Sequence, residues 1–153
     1  MKFALLLIAT LLSPFTLAKD YYVGDISGET IMADFKKFKK HADDVDYNPG
    51  QLASLQSVED KIEIKVFFGQ WCHDSQREVP RLIQLFDRLE KDNFSVSYYA
   101  LDTKKSDPEG LAKQHRIKRT PTVIVFKDGK ELARVLEFPQ TDWPSDLAEI
   151  ITK

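Results

Sequence analysis

The chain is poor in cysteine, and Cys72 is the only thiol among its 153 residues. An intramolecular disulfide is therefore excluded, so the fold does not depend on the crosslinks that hold small secreted scaffolds together. With 42% hydrophobic residues, the chain has enough apolar material to form a core without them. Its length suits a single domain.

A long apolar segment is also lacking. The longest apolar run, residues 3–12, is shorter than the roughly 20 residues that a membrane-spanning helix needs. Lys2 precedes this run, and Thr16-Leu17-Ala18 follows it with small residues at the positions that a signal peptidase recognises. We therefore predict that residues 1–18 are a signal peptide and that the mature protein is exported, periplasmic or secreted, without stable membrane insertion. An uncleaved membrane anchor is the alternative.

No charge of one sign dominates the composition. The 22 basic and 24 acidic residues give a net charge of −2, which offers no basis for a nucleic-acid partner. In an exported protein cysteines usually occur in pairs, so a single thiol there is either incidental or functional. The position of Cys72, between an apolar strand pattern and a helix pattern, favours a functional thiol.

Hydrophobic periodicity predicts an α/β fold that is preceded by a helical segment. An edge strand is indicated at residues 21–23. Ser27 is a suitable N-cap for a helix, along which four apolar residues at helical spacing form a stripe that we expect to pack in the core. The stripe consists of Ile31, Met32, Phe35 and Phe38. Asn48-Pro49-Gly50 is typical of a turn, and residues 51–58 suit a short helix.

The rest of the chain alternates between strand and helix patterns. We expect the first crossovers between strands to be parallel and right-handed, and the last two strands to be antiparallel. The predicted elements are a strand at 61–68, a helix at 73–91 containing Pro80, a strand at 94–101, a short helix opened by Asp107, a strand at 123–126, a turn at 127–130, a strand at 131–136 and a helix at 142–151.

Three motifs occur at defined separations. Trp71-Cys72-His73-Asp74-Ser75 lies where the first long strand is predicted to meet the helix, and Pro80 follows the cysteine by eight residues. Thr120-Pro121-Thr122 precedes an apolar strand that ends in Lys127-Asp128-Gly129. In these features the chain resembles the thioredoxin superfamily, whose Trp-Cys-x-x-Cys motif would here have Ser75 in place of its second cysteine.

The resemblance implies a thioredoxin-like fold, with a central mixed sheet flanked by helices, over residues 60–153. Residues 19–59 would be a helical N-terminal extension of the same domain. Two further positions depart from the family. Val66 replaces the buried aspartate that lies six residues before the first cysteine, and Glu137 falls near the glycine of the peptide-binding groove. Together with the missing second cysteine, these departures argue against a general dithiol reductase.

Cys72 is the predicted nucleophile. At a helix N-terminus the backbone N–H groups and the positive end of the dipole favour an anion, so we expect this environment to favour the thiolate. His73, if protonated, would add to the effect, and Asp74 would oppose it. Ser75 could donate a hydrogen bond to the sulfur.

The resemblance also implies a substrate-binding surface opposite the cysteine. Pro121 corresponds to the cis-proline of the family. Thr120, the residue before it, would offer its backbone to an extended substrate as an added strand does. Trp71 is expected to cover the sulfur. We expect no metal site and no cofactor.

One thiol is sufficient to attack a disulfide and form a mixed disulfide, but release then needs an external thiol. That thiol could belong to the same substrate, as in disulfide isomerisation, or to glutathione or another protein. The expected partners are protein or small-molecule disulfides and thiols. The alternative is a non-catalytic binding or adaptor module that kept the fold and lost redox turnover. Substrate identity, catalytic turnover and oligomeric state stay open.

Overall fold

The computed structural model describes residues 21–42 and 45–153. The predicted signal peptide, residues 1–18, lies outside the described residues, so its cleavage and the export of the chain stay predictions. Among the described residues, no helix combines the length and the apolar character that crossing a membrane requires.

The described part of the chain forms five strands and six helices, and they largely follow the predicted order. In sequence they are β1 (Gly24–Ile26), α1 (Gly28–Asp34), α2 (Lys36–Ala42), α3 (Pro49–Gln56), β2 (Ile62–Phe68), α4 (His73–Leu89), β3 (Phe94–Ala100), α5 (Leu111–Gln114), β4 (Thr122–Lys127), β5 (Lys130–Leu136) and α6 (Trp143–Thr152).

The strands form one mixed sheet in the order β1-β3-β2-β4-β5, flanked by helices as predicted. β2 and β3 are parallel, and the β4–β5 hairpin is antiparallel, as expected. The second crossover is not parallel. The connection through α5 brings β4 to the other side of β2 in the antiparallel direction. That prediction was wrong because an apolar strand pattern carries no information about strand direction.

The N-terminal segment differs from prediction in two places. The edge strand is β1, three residues later than expected, and it pairs with β3. The helix that Ser27 caps is interrupted at Phe35, whose backbone leaves helical geometry at φ −94° and ψ 85°. The phenylalanine ring is buried there, so core packing accompanies the break between α1 and α2.

Asn48-Pro49-Gly50 begins helix α3 and is not a free turn. The Asn48 side chain accepts a hydrogen bond from the Gln51 backbone N–H, and the Gln51 side chain accepts one from the Asn48 N–H. This capping box, with Pro49 at the first helical position, starts the helix two residues earlier than predicted.

The short helix predicted at Asp107 begins later, at Leu111. Residues 107–110 form a turn before it, in which the Asp107 carboxylate accepts hydrogen bonds from the N–H groups of Leu111 and Ala112. At the C-terminus of α4, the helix ends at Leu89, because Glu90 adopts a left-handed conformation with φ 48°. Pro80 lies inside α4 as predicted.

Each face of the sheet has its own apolar cluster. The larger one packs α1–α4 and α6 against β2, and the stripe predicted from Ile31 to Phe38 belongs to it, with Met32 only partly buried. The smaller cluster lies on the other face around Phe67, Ile117 and Ile124. Residues from the N-terminal extension therefore share one core with the sheet. The predicted boundary between the N-terminal extension, residues 19–59, and the thioredoxin-like core, residues 60–153, stays a prediction.

Candidate functional site

Cys72 lies at the C-terminal end of the central strand β2, where the chain turns into α4. Its backbone N–H donates to the Gly69 carbonyl at 2.9 Å, and its own carbonyl accepts from the Gln76 N–H at 3.0 Å. Cys72 is thus the N-cap of a 17-residue helix, and its side chain makes no capping hydrogen bond. The positive end of the helix dipole lies next to the sulfur and favours a negative charge there.

The sulfur faces the loop that precedes β4. Cys72 Sγ donates a hydrogen bond to the Thr120 carbonyl oxygen at 3.1 Å, and the Thr120–Pro121 peptide bond is cis, as the resemblance implied. The sheet creates this proximity, because Phe67 at the end of β2 pairs with Thr122 at the start of β4. Cys72 is half-buried, whereas Thr120 is buried.

Ser75 does not reach the sulfur. Its side chain is fully buried, and its Oγ accepts a hydrogen bond from the Gly69 N–H at 3.1 Å. The hydrogen bond that we predicted from Ser75 to the thiolate is not formed, because the serine side chain turns back towards the loop before α4. Ser75 therefore stabilises the turn that presents Cys72.

Trp71 is fixed over the backbone of Gly69. Its Nε1 donates to the Leu101 carbonyl at 3.0 Å, and the Lys105 ammonium lies 5.4 Å from the centroid of the Trp71 ring system. A Cβ atom on Gly69 would lie only 2.6 Å from Trp71 Cε2, closer than real Cβ contacts come. The glycine is thus required for the observed position of the ring.

We expect Gly69→Ala to displace the Trp71 ring and to break its hydrogen bond to Leu101, at a cost of about 1–3 kcal/mol in unfolding free energy. Acrylamide quenching of tryptophan fluorescence would detect the change, because Trp143 is buried and Trp71 is half-buried. The control is Gly50→Ala, whose added Cβ would lie 3.2 Å from Asn48 Oδ1 and within 4 Å of neither tryptophan, so it should leave the quenching unchanged. Unchanged quenching and stability in Gly69→Ala would contradict this account.

His73 and Asp74 follow the cysteine in the first turn of α4. His73 is exposed, and its ring centroid lies 6.4 Å from that of His41 on α2. Asp74 pairs with Arg77 at 3.0 Å, so a cation partly offsets the negative charge that we expected to oppose the thiolate. The pKa of Arg77 is raised, chiefly by its hydrogen bond to Glu78.

Sequence reasoning missed Glu78. This carboxylate is buried in α4, and it accepts a hydrogen bond from Trp143 Nε1 at 2.9 Å. It also pairs with Arg77 at 2.6 Å and with Arg81 at 3.3 Å. The hydrogen bond from Trp143 links α4 to α6, whereas both arginines belong to α4 itself. Glutamate in a helix is usually solvated, and no sequence signal identifies Trp143 as its partner.

The two further departures from the family have different surroundings. Val66 is fully buried in the larger apolar cluster. Glu137 has a positive φ of 66°, and its backbone N–H donates to the Pro121 carbonyl at 2.7 Å. Its carboxylate pairs with Arg119 at 2.7 Å. An ion pair therefore lies beside the cis-proline loop.

The described residues were searched for clusters of side chains that could bind a metal ion. Within residues 21–42 and 45–153, no group of three or more His, Cys, Asp or Glu side chains could hold a metal ion. The site as described thus consists of one sulfur atom, a helix N-terminus and a loop with a cis-proline.

A family model described as thioredoxin matches residues 28–144. The chain therefore belongs to the thioredoxin family, and the match begins inside the segment that we interpreted as an extension. Membership associates the chain with thiol–disulfide redox chemistry in general.

Two curated relatives agree with this assignment. The chain is 32% identical over 77 residues to thioredoxin of Echinococcus granulosus, which covers 50% of this chain and 66% of that protein. It is 31% identical over 78 residues to thioredoxin 2 of Plasmodium berghei, which covers 51% of this chain and 46% of that protein. The chain thus spans less than two thirds of the length of these two relatives.

Among solved structures, a Pseudomonas aeruginosa protein of unknown function shares the fold with a TM-score of 0.53 and 20% identity. The alignment covers 80% of this chain and 75% of that one. At this identity the likeness concerns the fold alone.

Proposed function

We propose that the chain is an exported thiol–disulfide exchange protein that acts through a mixed disulfide at Cys72, as an isomerase or in a glutathione-linked reaction. Its partners are protein or small-molecule disulfides and thiols. It needs no cofactor, and glutathione can serve as the external resolving thiol.

The observation that supports this proposal best is the position of the sulfur. Cys72 Sγ lies 3.1 Å from the Thr120 carbonyl oxygen, beside the cis peptide bond to Pro121. A half-buried thiol in this position is accessible to a substrate chain that lies along the loop. Backbone pairing with Thr120 would align such a substrate as an added strand.

The proposed step is a balanced exchange. The Cys72 thiol first loses its proton to solvent, and the thiolate attacks one sulfur of the substrate disulfide. A bond forms between Cys72 Sγ and that sulfur, and the substrate S–S bond breaks. The other substrate sulfur leaves with the electron pair as a thiolate. An external thiolate later attacks the substrate sulfur of the mixed disulfide and forms a new disulfide with it. The bond to Cys72 Sγ breaks, and Cys72 leaves as a thiolate.

The rival function is a binding or adaptor module without turnover. The Arg119–Glu137 ion pair beside the cis-proline loop favours it, because a fixed polar pair there changes the surface that a general reductase would offer to substrates. In that case Cys72 reacts with partners slowly or not at all.

We expect the wild type to isomerise a scrambled disulfide-bonded protein, or to deglutathionylate one, in the presence of reduced glutathione. Cys72→Ser removes the nucleophile and should reduce the rate to the background set by glutathione alone. The measurement is recovery of native activity or loss of the glutathione adduct. Equal rates for the two proteins would exclude the exchange function and leave the binding role.

A further inference from the structure

Positive charge is concentrated along one stretch of chain beside the site. Residues 104–119 contain six basic and only two acidic side chains, although the whole chain has a net charge of −2. The basic side chains are Lys104, Lys105, Lys113, Arg116, Lys118 and Arg119. The excess is therefore local and is not a consequence of overall composition.

Most of this charge is not neutralised by the fold. Arg119 pairs with Glu137, but Lys113, Arg116 and Lys118 are exposed and have no acidic partner among residues 21–42 and 45–153. The nearby Asp107 carboxylate is already engaged by backbone N–H groups at the start of α5. Unpaired cations this close together repel one another and favour an anionic partner.

These cations surround a groove and do not lie on a flat surface. Lys105, Lys113, Arg116 and Lys118 line a cavity of about 480 Å³ between the loop after β3 and the segment before the cis-proline. The buried apolar residues Ala112 and Ile117 also line it, as does Asp107, so the four cations outnumber a single carboxylate there. A groove with like charges along low-dielectric walls concentrates its electrostatic field.

Two of the residues that line the groove lie close to the reactive site, one in space and one along the chain. Lys105 lies over the ring of Trp71, the residue before the nucleophile. Lys118 is two residues from Thr120, whose carbonyl contacts Cys72 Sγ. A substrate protein can therefore place one segment in the groove while its disulfide reaches Cys72 Sγ.

We propose that this basic groove binds an acidic segment of the protein whose disulfide Cys72 attacks, and so selects acidic substrates. The inference rests on the proposed exchange function and names its substrate class. Electrostatic complementarity of this kind acts mainly on the association rate and on the choice of partner.

The test uses two peptides that each carry one cysteine linked to 5-thio-2-nitrobenzoate, flanked by glutamates in one and by lysines in the other. Attack by Cys72 releases the coloured thiolate, so absorbance gives the second-order rate. We expect the wild type to prefer the acidic peptide by roughly 10-fold or more at about 0.01 M salt. The preference should largely disappear at about 1 M salt, where charges are screened.

Charge reversal locates the effect. Lys113→Glu/Lys118→Glu should invert the ratio of the two rates, and the ratio cancels any change in the intrinsic reactivity of Cys72. The matched control is Lys130→Glu, at the far end of the sheet, because β4 runs from Thr122 near the site to Lys127 and the hairpin follows. That variant should keep the wild-type ratio.

The outcomes separate the inference from the function on which it rests. If Cys72 released the coloured thiolate from none of three peptides, the acidic one, the basic one and a neutral one, the proposed function would be overturned. Release from all three at equal rates, without salt dependence, would overturn only the acidic-substrate inference. Inhibition by a single-stranded oligonucleotide that matches or exceeds inhibition by an acidic peptide without cysteine would also overturn it, in favour of nucleic acid.

Discussion

A Ser75→Cys variant is expected to release its own mixed disulfide, whereas the wild type stays linked to its substrate until an external thiol arrives. Residues 72 and 75 are one helical turn apart, where Cβ atoms lie roughly 5–6 Å from each other. A small local adjustment brings such a pair into the range of a disulfide. The new thiol would attack Cys72 Sγ, expel the substrate as a thiolate and leave an internal disulfide.

The substitution is also tolerable for packing. Cysteine is close to serine in size, and the loss that we expect is the hydrogen bond from the Gly69 N–H, worth about 1 kcal/mol. Intact mass spectrometry, in the absence of other thiols, would follow the substrate adduct over time. Ser75→Ala is the matched control, because it removes the same hydrogen bond from the Gly69 N–H without adding a thiol, and it should leave the adduct in place. A persistent adduct in Ser75→Cys would contradict the prediction.

Phe38→Ala is expected to lower the unfolding free energy by about 3–5 kcal/mol. The Phe38 ring is fully buried between α2 and the end of β2, with centroid distances of 5.4 Å to Phe35 and 5.7 Å to Phe68. Truncation leaves a cavity lined by aromatic rings, which the backbone around β2 closes only in part.

Chemical denaturation measures this effect, and Lys39→Ala provides the control in the same helix. Lys39 is exposed, so its truncation should change the unfolding free energy by less than about 0.5 kcal/mol. A Phe38→Ala protein as stable as this control would mean that the N-terminal helices contribute little to the core. Because Phe68 ends the strand that leads to Cys72, the loss should also increase alkylation of the thiol.

The fold and the position of the nucleophile could be predicted from the sequence because they depend on local patterns. Alternating apolar residues in β2 and the amphipathic helix after it each restrict a short segment strongly, and they place Cys72 at a helix N-terminus. The cis-proline opposite the cysteine was predicted only from the resemblance of the Thr120-Pro121 motif to the thioredoxin superfamily. The same reasoning predicted that the stripe around Phe38 would be buried.

The features that the sequence analysis predicted wrongly or missed have a common physical origin. Each of them depends on contacts or turn geometry that no local sequence pattern specifies. The break at Phe35 accompanies burial of its ring, and the direction of β4 follows from the path of the chain around β2. Ser75 bonds to Gly69 because of the turn geometry, which the motif alone does not specify. Burial of Glu78 requires Trp143, 65 residues away, and no local pattern indicates that pair.

The asparagine at position 48 illustrates a different error. Asn-Pro-Gly is typical of turns, but asparagine followed by proline is equally typical of a helix start. The distinguishing residue is Gln51, whose side chain completes the capping box. This signal was present in the sequence, and giving it more weight would have placed the start of α3 correctly.

The most direct test of the account is the intact mass of the wild-type protein after mixing with a peptide whose single cysteine is linked to 5-thio-2-nitrobenzoate, a poorly nucleophilic leaving thiolate, with no other thiol added. We predict one peptide adduct per chain, located at Cys72, which persists until reduced glutathione is added and then disappears. A protein that keeps its unmodified mass, or that sheds the peptide without an added thiol, would contradict the proposal that a single accessible sulfur performs the exchange.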